Sequence, residues 1–453
     1  NLRPQISLLI LMDGYEFFKF PEDMHKRMKK LEVVSYENMG ILRHPVIFEH
    51  STTLRTLCLR SCSLMDDISF LGSLCNLETL SLADCNIRRL PSAIGKLRKL
   101  KSLDLTGCVD LHIDSGVFQN LHNLEELYIR ASKGRPVRFE QANCDELEKL
   151  SHVLFALENT LNLVAECTEL KECNIGDLFK NTEELRLQVK YMIHLEDIST
   201  HHTFSKLRFL RIYKCTKLTY LFTVDVANGL KQLEQLTISE CPLLEALIGE
   251  NSGVGLVTLK KLSFLSLEDL PKMVSLCDNV VELPKLVELR LAILPNITSI
   301  YPDSNSNTLE MHPLFNTEGV IPKLEKLDIY MMENLEQIWP CQISMSGKNE
   351  VSMLRQITVR KCDSLINLFP INPLPLLNNL EEVVVKKCGS IEVLFNINFE
   401  SVCEMGEHSS SKLRKIEVEY LRELKQLWRM KGVNESDTLV NSFKDVQTIR
   451  IED

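Results

Sequence analysis

The sequence holds little glycine and proline, 17 and 16 among 453 residues. With 44% hydrophobic residues, that scarcity excludes collagen-like, low-complexity and disordered chains. Aromatics are also few, at 6%, so aliphatic side chains carry the apolar content. Basic residues are not in excess: 52 Lys and Arg against 62 Asp and Glu leave a net charge of −10. A globally acidic chain is a poor nucleic-acid binder, and no nucleic-acid partner is expected. Long apolar runs are absent. The longest, Ile6–Met12, spans seven residues including Ser7, whereas a bilayer-spanning helix needs about 20. No membrane span is expected.

Catalytic motifs are missing as well. No G-x-x-x-x-G-K-S/T phosphate loop, H-E-x-x-H, G-x-S-x-G or EF-hand loop occurs. Gly253 and Gly255 lack a third glycine and follow no suitable strand. His201 and His202 read as a loop pair before a strand. Cys167 and Cys173 lack the further His or Cys pair of a zinc site. No catalytic, cofactor-binding or metal-binding residue is assigned, and the chain is not expected to be an enzyme.

What is present is a repeat. The pattern L-x-x-L-x-L-x-x, followed by Cys or an apolar residue, begins at Leu54 (LRTLCLRSC), Leu77, Leu100 and Leu124. It continues at Thr182, Leu207, Leu233, Leu262, Leu286, Leu324, Leu354, Leu380, Leu413 and Val446. A further copy reads from Met28, and weaker ones surround Ile6/Leu8 and Leu161/Leu163, giving about seventeen units. Successive starts from Leu54 lie 23, 23 and 24 residues apart, within the roughly 20–29-residue period of leucine-rich repeats. The L-x-L core alternates with period two, so it reads as a short strand with its leucines inward. One such strand cannot bury its apolar face alone, and stacking the units builds a parallel sheet over a continuous core. The return segments Cys215–Phe222, Cys362–Phe369 and Cys388–Phe395 share C-x-x-L-x-x-L-F and should line the opposite wall, with variants at Met332–Trp339 and Leu421–Trp428. Seven of the 15 cysteines (Cys62, Cys85, Cys108, Cys215, Cys241, Cys362 and Cys388) fall at the ninth position, a compact buried turn residue. The odd count and the lack of a paired-Cys cap suggest a reduced, intracellular setting.

The fold class expected is therefore α/β: a leucine-rich repeat solenoid (horseshoe) with a parallel β-sheet on the concave face and irregular or short helical convex segments. N-terminal repeats occupy residues 1–134, an irregular region 135–181, and C-terminal repeats with loop insertions 182–453, as one continuous solenoid. Apolar spacing from Leu147 to Leu157 suits a helix. Insertions at Tyr301–Gly319, Cys341–Glu350, Asn396–Ser411 and Lys431–Ser442 share one phase and should emerge along one edge. The chain starts and stops close to repeat strands, so it is expected to be a fragment of a longer protein.

In L1-x-x-L4-x-L6-x, positions three, five and seven point away from the core. That places Tyr128, Arg130, Arg186, Phe209, Arg211, Tyr213, Phe264, Arg290, Tyr330 and Arg360 on the concave face, with Arg450 after them. Tyr, aromatic and Arg side chains are enriched in interface hot spots, so this set is the expected protein-binding surface.

LRTLCLRSCSL, NIRRLPSAIGKLRKL, LEKLDIYMMENLEQIWPC and VRKCDSLINLFPINPLPLLNNLEEVVVKKCGSIEVLFNIN together resemble the plant coiled-coil nucleotide-binding leucine-rich-repeat (NBS-LRR) disease-resistance proteins. The likeness is greatest to the lettuce-type resistance gene candidates and spans essentially the whole chain. It implies the effector-sensing and autoinhibitory repeat region of a cytoplasmic immune receptor. The implied partners are a pathogen effector or guarded host protein and the receptor's own nucleotide-binding domain. That domain binds ADP or ATP in the family and is absent from this sequence. Alternatives are a scaffold or substrate adaptor and an extracellular receptor ectodomain. Against the last stand only two glycosylation sequons, at Asn296 and Asn434, and a single Gly319-Val-Ile-Pro322 in the wrong phase.

A core leucine in such an array has neighbours on both sides. Leu327→Ala is expected to lower the unfolding free energy by about 2–5 kcal/mol, measured by chemical denaturation.

Overall fold

The computed structural model describes residues 6–13, 30–40, 51–64, 67–108, 111–114, 117–129, 160–165, 176–198, 203–249, 257–276, 281–297, 299–300, 313–315, 323–339, 353–370, 374–398, 412–431 and 445–452. The helix expected within Leu147–Leu157, the pairs His201/His202, Gly253/Gly255 and Cys167/Cys173, and nearly all of the four insertions lie outside them. The chain forms two compact units, Asn1–Arg211 and Ile212–Asp453.

In the first unit the repeat cores form parallel strands: β1 (Leu8–Met12), β2 (Val33–Glu37), β3 (Thr56–Arg60), β4 (Thr79–Ser81), β5 (Ser102–Asp104), β6 (Glu126–Ile129), β7 (Thr160–Ala165) and β8 (Glu184–Val189). Each pairs in parallel with the next. The fourth-position leucines stack in register, Leu57 on Leu80 on Leu103 on Leu127, all fully buried. Strand β9 (Phe209–Tyr213) carries the division between the units. The second unit repeats the arrangement with β10 (Gln235–Ser239), β11 (Phe264–Glu268), β12 (Glu288–Ala292), β13 (Lys326–Tyr330), β14 (Gln356–Arg360), β15 (Glu382–Lys386), β16 (Lys415–Glu419) and β17 (Thr448–Glu452). These also pair in parallel in sequence order. Each unit is thus a parallel β-solenoid of leucine-rich repeats.

Two N-terminal registers differ from the sequence reading. The inward pair of β2 is Val34 and Tyr36, aligned with Leu57 and Leu59, so the repeat starts at Leu31 rather than Met28. In β1 the inward residues are Leu9 and Leu11, while Leu8 is 52% exposed. Apolar residues stand on both faces of these strands, which hides the parity. A third irregularity falls at β7. Leu127 pairs with Leu163, but Leu163 pairs with the sixth-position Leu187, a slip of two residues. Because side chains alternate with period two, a two-residue slip keeps every leucine inward. Thr182 does replace the first leucine, and its buried hydroxyl donates to the Leu178 carbonyl at 2.8 Å.

The turn after the strand has one conformation in nearly every described repeat; Val189, the eighth residue of the Thr182 repeat, instead extends β8. The eighth-position residues Asn38, Ser61, Asp84, Lys214, Glu240, Asp269, Ile293, Met331, Lys361, Lys387 and Tyr420 all have φ between +50° and +57°. Gly107 takes the same place at φ +78°. A Cβ there would stand 2.2 Å from the Asp84 carboxylate, which would have to turn aside. The ninth-position cysteine follows. All seven are buried, and their thiols donate to strand carbonyls, as Cys85 does to Leu59 at 3.0 Å and Cys241 to Ser239 at 3.3 Å. These sulfurs occupy the space under the turn and satisfy acceptors that the parallel ladder leaves over.

The opposite wall differs between the units. In the first, short 3-10 turns at Ser69–Ser73 and Ser92–Lys96 occupy one phase. A Cβ on Gly72 would meet the Ala93 carbonyl oxygen at 2.4 Å, so glycine sets their approach. In the second, the C-x-x-L-x-x-L-F segments contribute buried Leu218, Leu221, Leu365, Leu368, Ile391 and Leu394. Their final aromatics stack: Phe369 on Phe395 at 5.2 Å and Phe395 on Trp428 at 6.2 Å between ring centroids.

Ile293 is the one β-branched residue in the left-handed series, at φ +54°. Such a side chain is strained there by roughly 1–2 kcal/mol. Ile293→Asn is expected to raise the denaturation midpoint by an amount equivalent to about 1 kcal/mol; an unchanged or lowered midpoint would show that packing of the isoleucine outweighs the strain.

Candidate protein-binding face

Odd positions of the strand repeat project from the sheet, as parity requires. Arg130 lies outside the described residues; the other nine expected face residues are described, and each is half-buried or exposed. Each unit carries its own set.

In the first unit Tyr128 follows a row of small side chains, in register with Asp104 on β5. Arg186 and Arg211 converge on Glu184. Its carboxylate is 1% exposed, with Arg186 Nε at 2.8 Å and Arg211 Nε at 3.2 Å. Two guanidiniums offset the desolvation of that carboxylate, and it fixes both in turn. Burial lowers the Arg211 pKa, with Arg186 acting in the same sense and Glu184 opposing; an arginine remains charged regardless. Phe209 is covered by the Arg208 guanidinium at 5.3 Å.

In the second unit Tyr213 is half-buried at the end of β9. Arg290 stacks on Phe264 at 5.3 Å and hydrogen-bonds Glu288 through Nε at 2.7 Å. Arg360 lies over Tyr330 at 5.6 Å and reaches both carboxylate oxygens of Asp328 at 3.0 and 3.1 Å. The aromatic–arginine pairs are thus preassembled, each ring covered on one side and each guanidinium anchored by one acid.

The sequence reading missed the acids. Their signal was present in the repeated E-L-R of Glu184–Arg186 and Glu288–Arg290, where residues two apart share a strand face. It also missed the ion network on β15 and β16. Lys386 binds Glu417 and Glu419 at 2.6 and 2.8 Å, and Lys415 binds Glu382 and Glu417 at 2.7 and 2.8 Å. Among the described residues no group of three or more His, Cys, Asp or Glu could hold a metal ion. No helix among them is long and apolar enough to cross a membrane.

Comparison with known proteins bears on this face. Residues 87–242 and 322–453, more than half of the chain, match the plant disease resistance protein RPS2-like leucine-rich repeats. The chain belongs to this family. The general leucine-rich repeat family also matches the RPS2-like chain, at residues 76–97. No curated protein matches it. Among solved structures, the plant peptide hormone receptor RGFR1 in complex with RGF2 is similar at 15% identity, over 99% of this chain and 80% of that one, with a TM-score of 0.30. That likeness is too low to carry an argument about binding. Membership of the RPS2-like repeats points to protein–protein recognition as the role of this solenoid.

The network gives this RPS2-like chain a defined pH response. Hydrogen bonds from Lys386 and then Lys415 hold the Glu417 carboxyl down to about 2, from an ordinary 4.5. A depressed folded-state pKa means that the unfolded chain binds more protons across that window. The stability attached to Glu417 is therefore complete at neutral pH and is lost as pH falls through about 5 toward 2. Urea denaturation at pH 7 and pH 3 should show a smaller acid loss in Glu417→Gln than in the parent; equal losses would contradict the assignment.

Proposed function

We propose that this chain is the effector-sensing and autoinhibitory repeat region of an intracellular plant immune receptor of the nucleotide-binding leucine-rich-repeat kind, in which it acts by protein–protein recognition in the cytoplasm. The observation that carries the reading is the match to the RPS2-like disease-resistance repeats over most of the chain. The lettuce-type motifs of the second unit, VRKC and VKKC with their L-F and L-W returns, support the finer placement. The implied partners are a pathogen effector or guarded host protein and the receptor's own nucleotide-binding domain, where any ADP or ATP would be held. The chain's own contribution is non-catalytic.

Supporting the recognition role, the sheet face carries Tyr128, Arg186, Phe209, Arg211, Tyr213, Phe264, Arg290, Tyr330 and Arg360 without a covering element from the same unit among the described residues. Their rings and guanidiniums are already oriented, so a partner spends little ordering entropy on them.

Phe209, Arg211 and Tyr213 share strand β9. Replacing them with Ala, Gln and Ala is expected to abolish the pathogen-triggered response of the full-length receptor while the purified chain keeps its circular dichroism spectrum. An unchanged response in a folded triple variant would remove this face from recognition.

A further inference from the structure

The sheet face is not the only charged surface. The repeats V-R-K-C (Val359–Cys362) and V-K-K-C (Val385–Cys388) lie on adjacent strands in register, Arg360 beside Lys386. Four cations therefore crowd the ends of β14 and β15 in a chain of net charge −10. Two are neutralised within the fold: Arg360 by Asp328, and Lys386 by Glu417 and Glu419.

The other two are not. Lys361 and Lys387 are the eighth-position turn residues, each at φ +56° and exposed. Among the described residues neither has a carboxylate partner. Each instead sits against a tyrosine. Lys361 Nζ lies 5.2 Å from the Tyr330 ring centroid and 2.9 Å from its hydroxyl. Lys387 Nζ lies 5.5 Å from the ring of Tyr420, itself 50% exposed. Backbone bonds fix their spacing: the Lys361 amide donates to the Lys386 carbonyl, and the Lys387 amide to Glu419. The two turns are thus held about one strand spacing apart, roughly 5 Å, and their amines turn outward from each other, Lys361 to Tyr330 on the preceding strand and Lys387 to Tyr420 just past the following one.

We propose that this rim of the second unit docks an acidic protein segment, whose carboxylates lie across Lys361 and Lys387 between the two tyrosine rings. The rest of the rim selects the class of partner. Half-buried Ile293 and Met331 precede the lysines in the same turn series and offer apolar contact. Beyond them Glu268 and Asp269 repel a continuous polyanion. An acidic segment that also carries apolar side chains fits this order of charges, whereas a nucleic acid does not. The rim shares Tyr330 with the proposed recognition face but none of the β9 residues that test that face, and it does not depend on that reading.

The test uses the whole chain and a fluorescein-labelled peptide of alternating Glu and Leu, followed by fluorescence anisotropy. Lys361→Gln/Lys387→Gln should weaken binding about tenfold, consistent with the removal of two surface charge contacts. It should also flatten the salt dependence and leave the unfolding midpoint unchanged, since both side chains are exposed. A peptide of alternating Gln and Leu should bind parent and variant equally weakly. The β9 triple variant should keep the Glu/Leu affinity, so the failure of one reading is distinguishable from failure of the other. An unchanged affinity in the double variant overturns the proposal. So does displacement of the peptide by inorganic pyrophosphate or by a single-stranded DNA oligonucleotide at equal charge, which would mark a general anion site.

Discussion

A parallel sheet built from consecutive short strands needs the chain to leave every strand in the same direction. Here that is done after nearly every described strand by one left-handed residue at the eighth position, followed by a buried ninth residue that is Cys in seven repeats. Where the left-handed residue is Asn38, Asp84 or Lys387, the backbone path is the same, so the conformation belongs to the repeat and not to the side chain. Seven repeats fill the space beneath the turn with a cysteine, and others fill it with buried Met39, Leu270, Leu294, Met332 or Leu421 after the same left-handed residue, so burial at the ninth position is what the turn requires. Once this turn is fixed, the leucine columns, the parallel registers and the parity of the outward residues follow.

The same regularity constrains the outer face. Side chains at equal positions of adjacent strands stand about one strand spacing apart, so charges of one sign cannot be stacked freely. The fold meets this in two ways. Arginines are interleaved with acids two residues earlier on the same strand or one strand away, as with Glu184, Glu288 and Asp328. Rings are used as neutral neighbours, as Phe264 and Tyr330 are for Arg290 and Arg360. Both solutions leave a guanidinium oriented with part of its hydrogen-bonding edge toward solvent. An array built to tolerate its own charges thereby acquires the ordered, amphipathic groups that recognition uses.

Most of the architecture was legible in the sequence because the repeat encodes it redundantly. Leu57, Leu80 and Leu103 occupy identical environments, so an error at one would be corrected by its neighbours. Legibility failed where that redundancy thinned. In β1 and β2 hydrophobic residues stand at both parities, and Leu8 or Val33 could equally have been inward; only the pairing with Leu57 decides for Val34 and Tyr36. The left-handed turn was invisible because its residue varies from Asn to Ile. The acids on the face were missed for a different reason. Attention to aromatic and Arg side chains named half of each pair, although E-L-R spells the other half on the same face of the same strand.

The pairing of Glu184 with Arg186 and Arg211 changes what those arginines can contribute. An exposed guanidinium would gain a partner's carboxylate only after losing water and rotamer freedom. Arg186 and Arg211 have already lost both, to a carboxylate that is itself buried, and three charges now share one desolvated site with one positive charge in excess. Added negative charge beside that site meets uncompensated field without a fresh desolvation of the arginines, whereas added positive charge meets repulsion in a low-dielectric setting. The consequence is selectivity by sign more than affinity. The leucine core has no such freedom, since any change there is felt by the columns on either side. The odd strand positions can therefore change while the turn, its buried ninth residue and the leucines stay as they are, which is the latitude the proposed recognition role requires.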